Sequence, residues 1–201
     1  FLFSIFVIWV HSYNVDLFSG GARDGIWSLA DRIENFVSVG LGQIAVPGFF
    51  LLSSYLFFRN FSWGKLTGKW KSRIFSVLIP YVVWNIIYYL GYMAASRFFA
   101  IRSVVGRDII PFSVQEIWRA VSQYAYAPIF WYLYQLIFLI IVSPMIYALV
   151  KNRAIGLLWI VGLVFAVHLH LDMRHPNTDA LLYYSVAAYF AVHRRGLVER
   201  S

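Results

Sequence analysis

Long apolar runs separated by short polar segments are the main pattern of this chain. Runs of about 20 apolar residues are typical of membrane-spanning helices, because a bilayer core is about 30 Å thick. Six runs are long enough to span a membrane, or nearly so, at about 1–18, 33–58, 74–96, 129–150, 154–171 and 179–193. The pattern predicts an all-α, polytopic transmembrane helix bundle.

Two local signals modify this pattern. Pro47-Gly48 lies inside the second run, and a proline there removes a backbone donor and clashes with the preceding turn. We therefore expect a kink or break that faces the bundle. Ser113 and Glu116 form a capping box, and the apolar residues that follow at helical spacing predict a short helix in the membrane interface.

Composition agrees with a membrane protein. The chain has 201 residues, of which 61% are hydrophobic and 13% charged, whereas soluble domains are nearer half apolar and a quarter charged. It contains no cysteine, which excludes disulfides and thiolate-bound metal.

The cations lie mainly at one end of the predicted spans. If the chain starts in the cytoplasm, the segments 59–73 and 151–153 and the tail carry ten Lys and Arg and one acid. The opposite connections carry seven Lys and Arg and eight acids. The positive-inside rule favours this orientation. The net charge of +8 is then juxtamembrane charge beside lipid, and we expect no nucleic-acid partner.

A histidine lies within the first apolar run. An ionisable residue inside a span is costly unless it faces protein or a water-filled cavity. Ser4, His11 and Asn14 are seven and three residues apart, so they line one helix face. His11 is therefore a candidate functional residue. The alternative is a packing histidine that bonds to a neighbouring helix.

The basic segment 59–73 is a candidate phosphate site. Its cations pair strongly with phosphate groups, although the same charges could simply lie beside anionic lipid. The candidate residues are Arg59, Lys69, Lys71 and Arg73.

The opposite ends of the spans carry aromatic and histidine residues. Trp131 and Tyr134 could stack on a sugar or anchor the helix in the interface. His168, Asp172 and His175 have the spacing of one helix face and could bind a metal. Interfacial histidines are more common, so we expect no metal.

Four stretches carry a family resemblance. In chain order they are VIWVHSYN, VPGFFLLSSYLFF, KWKSRIFSVLIPYVVWN and FWYLYQLIFLIIVSP. Together they resemble the acyltransferase-3 family of integral membrane acyltransferases, which acylate sugars of surface polysaccharides and related glycans. The resemblance implies that 1–201 is the N-terminal part of a longer helical bundle.

The resemblance also implies site residues. The family pattern places an arginine, then ten residues, then a histidine on the first helix, and His11 matches the histidine. The arginine position would fall immediately before Phe1. We expect His11 to act as general base on an acceptor hydroxyl, with Asn14, Ser53 and Ser54 near the substrate. Ser54 stands where the family commonly has glycine.

The resemblance further implies the partners. The expected donor is cytosolic acyl-CoA, typically acetyl-CoA, with Lys69 and Arg73 as the best phosphate ligands and Lys71 and Arg59 beside them. The expected acceptor is a glycan or another hydroxyl compound on the opposite side of a bacterial cytoplasmic (inner) membrane.

A different class of function fits the same features. In a multi-pass transporter or a non-catalytic scaffold, the Pro47-Gly48 break and His11 would form a substrate or proton path. An arginine immediately before Phe1 would favour the enzyme.

Overall fold

All regular elements in the described part of the chain are helices, which confirms the all-α prediction. The computed structural model describes residues 26–41, 44–98, 108–171, 173–194, Ile5 and Gly196. The α-helices are α1 (Ile26–Asn35), α2 (Ala45–Phe58), α3 (Leu66–Arg73), α4 (Ile79–Ala95), α5 (Val114–Gln123), α6 (Trp131–Ile141), α7 (Ser143–Val150), α8 (Arg153–His168) and α9 (Thr178–His193).

Short segments of π- and 3₁₀-helix join several of these elements. π-Helical turns follow α1 at Phe36–Leu41 and connect α3 to α4 at Ile74–Leu78. 3₁₀ turns precede α3 at Trp63–Lys65 and α6 at Pro128–Phe130.

One helix in the described residues is long and apolar enough to cross a membrane. It runs over Trp63–Ala95, 33 residues that include α3 and α4. Val114–Gln123 and Pro128–Ile141 meet at a bend of 49° and add a second candidate if they are counted as one span. The helices Ala45–Phe58 and Arg153–His168 are apolar but shorter. The six predicted spans therefore stay a prediction.

The basic segment 59–73, expected as a connection between spans, is largely helical and continuous with α4. Pro80 lies inside this long helix, where its ring would clash with the carbonyl of Ser76 in a regular α-turn. Ser76 belongs to the π-turn Ile74–Leu78, which ends two residues before Pro80 and widens the backbone there. A wider turn lets the helix pass a proline that would otherwise end it.

The helix is not broken at Pro47-Gly48, where we predicted a kink or break. α2 begins at Ala45 and continues through both residues. Pro47 is thus in the first turn, where backbone N–H groups have no helical partner and a missing one costs little.

The fourth apolar run, expected as one span, is divided. α6 ends at Ile141 and α7 begins at Ser143, with Pro144 in the first turn of α7. Proline cannot continue the hydrogen-bond ladder of α6, which is why the run divides here.

The main core forms where α2 packs along α9. α9 also contacts α6, α7 and α8. Phe58 meets the Tyr184 ring edge-on at 5.8 Å, and both side chains are fully buried. Ser54 Oγ donates a hydrogen bond to the Tyr184 carbonyl at 2.5 Å and so joins α2 to α9.

The predicted short helix is α5, and its cap is confirmed. Ser113 Oγ accepts a hydrogen bond from the Glu116 N–H at 3.2 Å. Two tyrosines of α4 dock this helix: Tyr81 donates to the Val121 carbonyl at 2.7 Å, and Tyr89 donates to the Pro111 carbonyl at 2.8 Å.

The outer faces of α4 and α8 are apolar and exposed. Trp84 is 51% exposed and Leu158 is 72% exposed. Large exposed apolar faces are characteristic of surfaces that meet lipid or another helix. They agree with a bundle that lies within a membrane.

We predict that Gly156→Ala destabilises the bundle. A Cβ at Gly156 would lie 2.9 Å from Tyr189 Cδ2 and 3.1 Å from the Val150 Cα. Overpacking of this kind lowers the free energy of unfolding by about 1–3 kcal/mol. The difference in unfolding free energy between the variant and the unmodified protein is measured in mixed detergent micelles. Gly162→Ala in the same helix is the matched control, because no atom other than those of its chain neighbours and its own helix backbone lies within 4 Å of its Cβ position. Equal stabilities would contradict the prediction.

Candidate functional site

The predicted catalytic residue lies outside the described residues. His11 and its predicted neighbour Asn14 both fall in the segment 6–25, so their roles stay predictions. The remaining candidate residues lie on α2, on α6 and on the basic segment.

α3 divides the predicted cations between two faces. Lys69 and Arg73 are four residues apart on one face and are half-buried, whereas Lys71 is exposed. Lys69 Nζ donates to the Arg59 carbonyl at 3.0 Å and lies 5.6 Å from the centre of the Phe57 ring. Lys69 therefore ties α3 to the end of α2, and Arg59 is exposed beside it.

Arg73 lines an apolar cavity of about 310 Å³ between the long helix and α6. Among the described residues around this cavity, Arg73 carries the only charge. The others are Trp70, Ile74, Val77, Leu78, Ile137, Ile140 and Ile141. Guanidinium groups pair with phosphate or carboxylate, and apolar walls suit a hydrocarbon chain. The arrangement suits an anionic amphiphile.

A proline determines how the wall of this cavity is held. In an uninterrupted helix, the N–H of residue 144 would bond to the Ile140 carbonyl, but Pro144 has none. Trp70 Nε1 donates to that carbonyl at 3.0 Å, and Ser143 Oγ donates at 2.7 Å. α3 is therefore docked on the junction between α6 and α7.

The two predicted serines differ in their surroundings. Ser54 is fully buried and donates its proton to α9, as described above. Ser53 is half-buried. Ser54 thus has a packing role between helices, and a substrate role for either serine stays a prediction.

Trp131 lies at the other end of α6, beside the start of α2. It lines a cavity of about 330 Å³ with residues from α2 and from the start of α9. These residues are Val46, Pro47, Phe50, Asn177, Asp179, Ala180 and Tyr183. Pro47, in the first turn of α2, therefore borders a cavity that residues of α6 and α9 also line.

Tyr134 lies one turn further along α6 and opens into a separate cavity of about 620 Å³. Polar and aromatic side chains line this cavity. They are Ser122, Gln123, Tyr124, Gln135, Arg174 and His175. Both predicted sugar-binding residues thus lie at cavities, at the end of α6 opposite Arg73.

The chain matches a known protein family over nearly its whole length. The family model of the acyltransferase-3 acyltransferase domain matches residues 1–200. The chain belongs to the acyltransferase-3 family. No curated protein and no solved structure matches it significantly. The match confirms the resemblance seen in the sequence and makes this an acyltransferase domain of the membrane type.

Two residues of the acyltransferase-3 domain that hold the walls of these cavities were not predicted from the sequence. Trp70 and Gln135 were not singled out, although a glutamine within the apolar run WYLYQLIFLI is a signal for a buried polar contact. His175 was considered only as a metal ligand. The described residues contain no group of three or more His, Cys, Asp or Glu side chains that could hold a metal, and Asp172 lies outside them.

Removing both donors to the Ile140 carbonyl should destabilise the acyltransferase-3 domain more than either single change. Trp70→Phe and Ser143→Ala each leave one hydrogen bond in place. The double variant leaves a buried carbonyl unpaired, which costs about 1–3 kcal/mol. Unfolding free energies of the four proteins in a double-mutant cycle measure this. If the loss of unfolding free energy in the double variant equals the sum of the two single losses, the two donors do not substitute for each other at the Ile140 carbonyl and the prediction is wrong.

Proposed function

We propose that this acyltransferase-3 domain transfers an acyl group, preferentially acetyl, from cytosolic acyl-CoA to a hydroxyl of a surface glycan or similar acceptor. The domain lies in a bacterial cytoplasmic membrane, with its first residues on the cytoplasmic side. The family match over residues 1–200 carries this proposal. The two kinds of cavity at opposite ends of α6 support it.

The donor is proposed to bind at the cavity beside α3. Coenzyme A is anionic through its phosphates, and Arg73 offers a forked set of donors on a half-buried side chain. Lys69 lies one turn earlier on the same face. Lys71 and Arg59 are exposed, so they add to the field that attracts an anion rather than to a defined contact.

The chemistry is assigned to His11. A neutral imidazole takes the proton of the acceptor hydroxyl while the oxygen attacks the thioester carbonyl. The new C–O bond forms, the C–S bond breaks, and the proton on the imidazolium passes to the leaving sulfur. Histidine suits this exchange because its ring titrates near neutral pH. The cycle returns His11 to its starting form and needs no metal.

The acceptor is proposed to approach from the other end of α6. Trp131 and Tyr134 supply aromatic surface there, and both line cavities. Asn14 and Ser53 are proposed to lie along its path toward His11. Ser54 keeps only its oxygen lone pairs for a ligand, because its proton is donated to the Tyr184 carbonyl.

We predict that His11→Ala greatly slows O-acetylation of the surface glycan. General-base catalysis contributes about 10²–10⁴-fold, so the rate should fall at least about 100-fold. Acetate released from purified glycan, at matched protein levels, measures the loss. His168→Ala replaces an exposed histidine at the end of α8 and should have no effect. Undiminished acetylation in His11→Ala would favour the transporter or scaffold.

Arg73→Gln should weaken donor binding. Loss of a charge-assisted hydrogen bond worth about 1.5–3 kcal/mol raises the KM for acetyl-CoA by about tenfold or more. Thiol release in lipid nanodiscs measures this. Lys151→Gln removes the same charge from an exposed turn and is the matched control. If both variants behave alike, Arg73 acts only as membrane-surface charge and the donor site is wrong.

A further inference from the structure

The cavity of about 620 Å³ beside Tyr134 has the composition of a carbohydrate site. It lies between the end of α5, the start of α6 and the segment that leads into α9. Cavities of about 300–1,000 Å³ are typical of small-molecule sites. Its ring surfaces suit the apolar C–H face of a pyranose, and its amide and guanidinium groups suit the hydroxyl rim.

Gln135 of α6 organises one wall of this cavity. The side chain is 5% exposed. Its Oε1 accepts from the Asn177 N–H at 2.9 Å, and its Nε2 donates to the Arg174 carbonyl at 3.3 Å. A backbone N–H can only donate and a carbonyl can only accept, so these contacts fix the orientation of the amide. Gln135 Nε2 then faces His175 Nδ1 at 3.4 Å.

This contact selects a tautomer of His175. Because Gln135 Nε2 is only a donor, Nδ1 must accept, and the proton of the neutral ring lies on Nε2. Phe138 covers one face of the ring at 5.4 Å and 17°, and Tyr134 meets it at 5.1 Å and 89°. The residue is otherwise exposed. The ring therefore offers an oriented N–H donor to a ligand.

Tyr124 provides a second, independent observation. It ends α5 in the left-handed region, with φ 43° and ψ 36°. For a bulky residue this conformation costs on the order of 1–3 kcal/mol, and such residues cluster at ligand sites. In this conformation the Tyr124 ring meets Tyr134 at 5.4 Å. The two tyrosines form one aromatic wall of the cavity.

The geometry points to a pyranose-binding subsite in this cavity, where one sugar of the acceptor glycan lies against Tyr124 and Tyr134. His175 donates from Nε2 to an oxygen of that sugar. Gln135 is the positioning residue that holds His175. The identity of this sugar as part of the acceptor rests on the proposed function, whereas sugar binding itself does not.

Sugar binding is measured on the full-length protein in lipid nanodiscs by saturation-transfer difference NMR. The probes are the methyl glycosides of glucose, galactose, rhamnose and N-acetylglucosamine. We expect at least one to bind. Loss of one hydrogen bond in His175→Ala should weaken that binding about fivefold, and Tyr134→Leu should also weaken it. The matched control His168→Ala lies outside the cavity and should bind normally.

Failure to bind any of the four glycosides, or unchanged binding in His175→Ala, overturns the subsite. Acetyl-CoA binding to the same samples, measured by calorimetry, reports separately on the donor site and on the folding of each variant. Glycoside binding without acetyl-CoA binding would contradict the proposed donor and leave the sugar subsite in place. Acetyl-CoA binding without glycoside binding would overturn the sugar subsite and leave the proposed donor site in place.

The role of Gln135 has a spectroscopic test. In protein labelled with ¹⁵N-histidine, the His175 ring should show the Nε2–H tautomer, with its signals assigned by their loss in His175→Ala. Gln135→Met has a similar volume but no donor, and it should remove this preference. An Nδ1–H tautomer in the unmodified protein overturns the positioning role.

Discussion

A backbone carbonyl without a donor is costly inside an apolar bundle, and much of this structure depends on how one of them is satisfied. Pro144 leaves the Ile140 carbonyl unpaired, and Trp70 and Ser143 supply the missing donors. Trp70 belongs to α3, so this contact fixes α3 against α6. Arg73 follows three residues later and is thereby placed at the apolar cavity. The position of the candidate phosphate ligand is thus a consequence of a missing N–H elsewhere.

At the other end of α6 the buried polar group that needs hydrogen-bond partners is a side chain and not a backbone carbonyl. Gln135 is buried, and its amide is satisfied by backbone groups of the segment that leads into α9. A buried amide without partners would destabilise the bundle, so this segment is held in one arrangement. His175 lies in that segment and takes its orientation from it. Polar groups within apolar runs therefore determine where both candidate sites lie.

Features governed by local sequence were predictable. The helical class follows from apolar run length, and the start of α5 follows from the Ser113 cap. Features governed by distant partners were not. The docking of α3 on the junction between α6 and α7 depends on Trp70, which is 70 residues from Ile140 in the sequence. The passage of the helix through Pro80 depends on the π-turn Ile74–Leu78, which the apolar pattern does not indicate. His175 resembled a metal ligand because of its spacing from His168 and Asp172, and the sequence does not indicate its contact with Gln135, which lies 40 residues earlier.

α6 is a wall common to the two candidate sites, and this limits how donor and acceptor can meet. Tyr134 and Ile140 are six residues apart, which corresponds to about 9 Å along a helix axis. A thioester at one cavity and a hydroxyl at the other are too far apart to react without moving toward each other. A base that serves both must lie beside α6 at an intermediate depth in the membrane. The proposed role of His11 as general base therefore requires its ring to lie beside α6, between the depths of these two cavities.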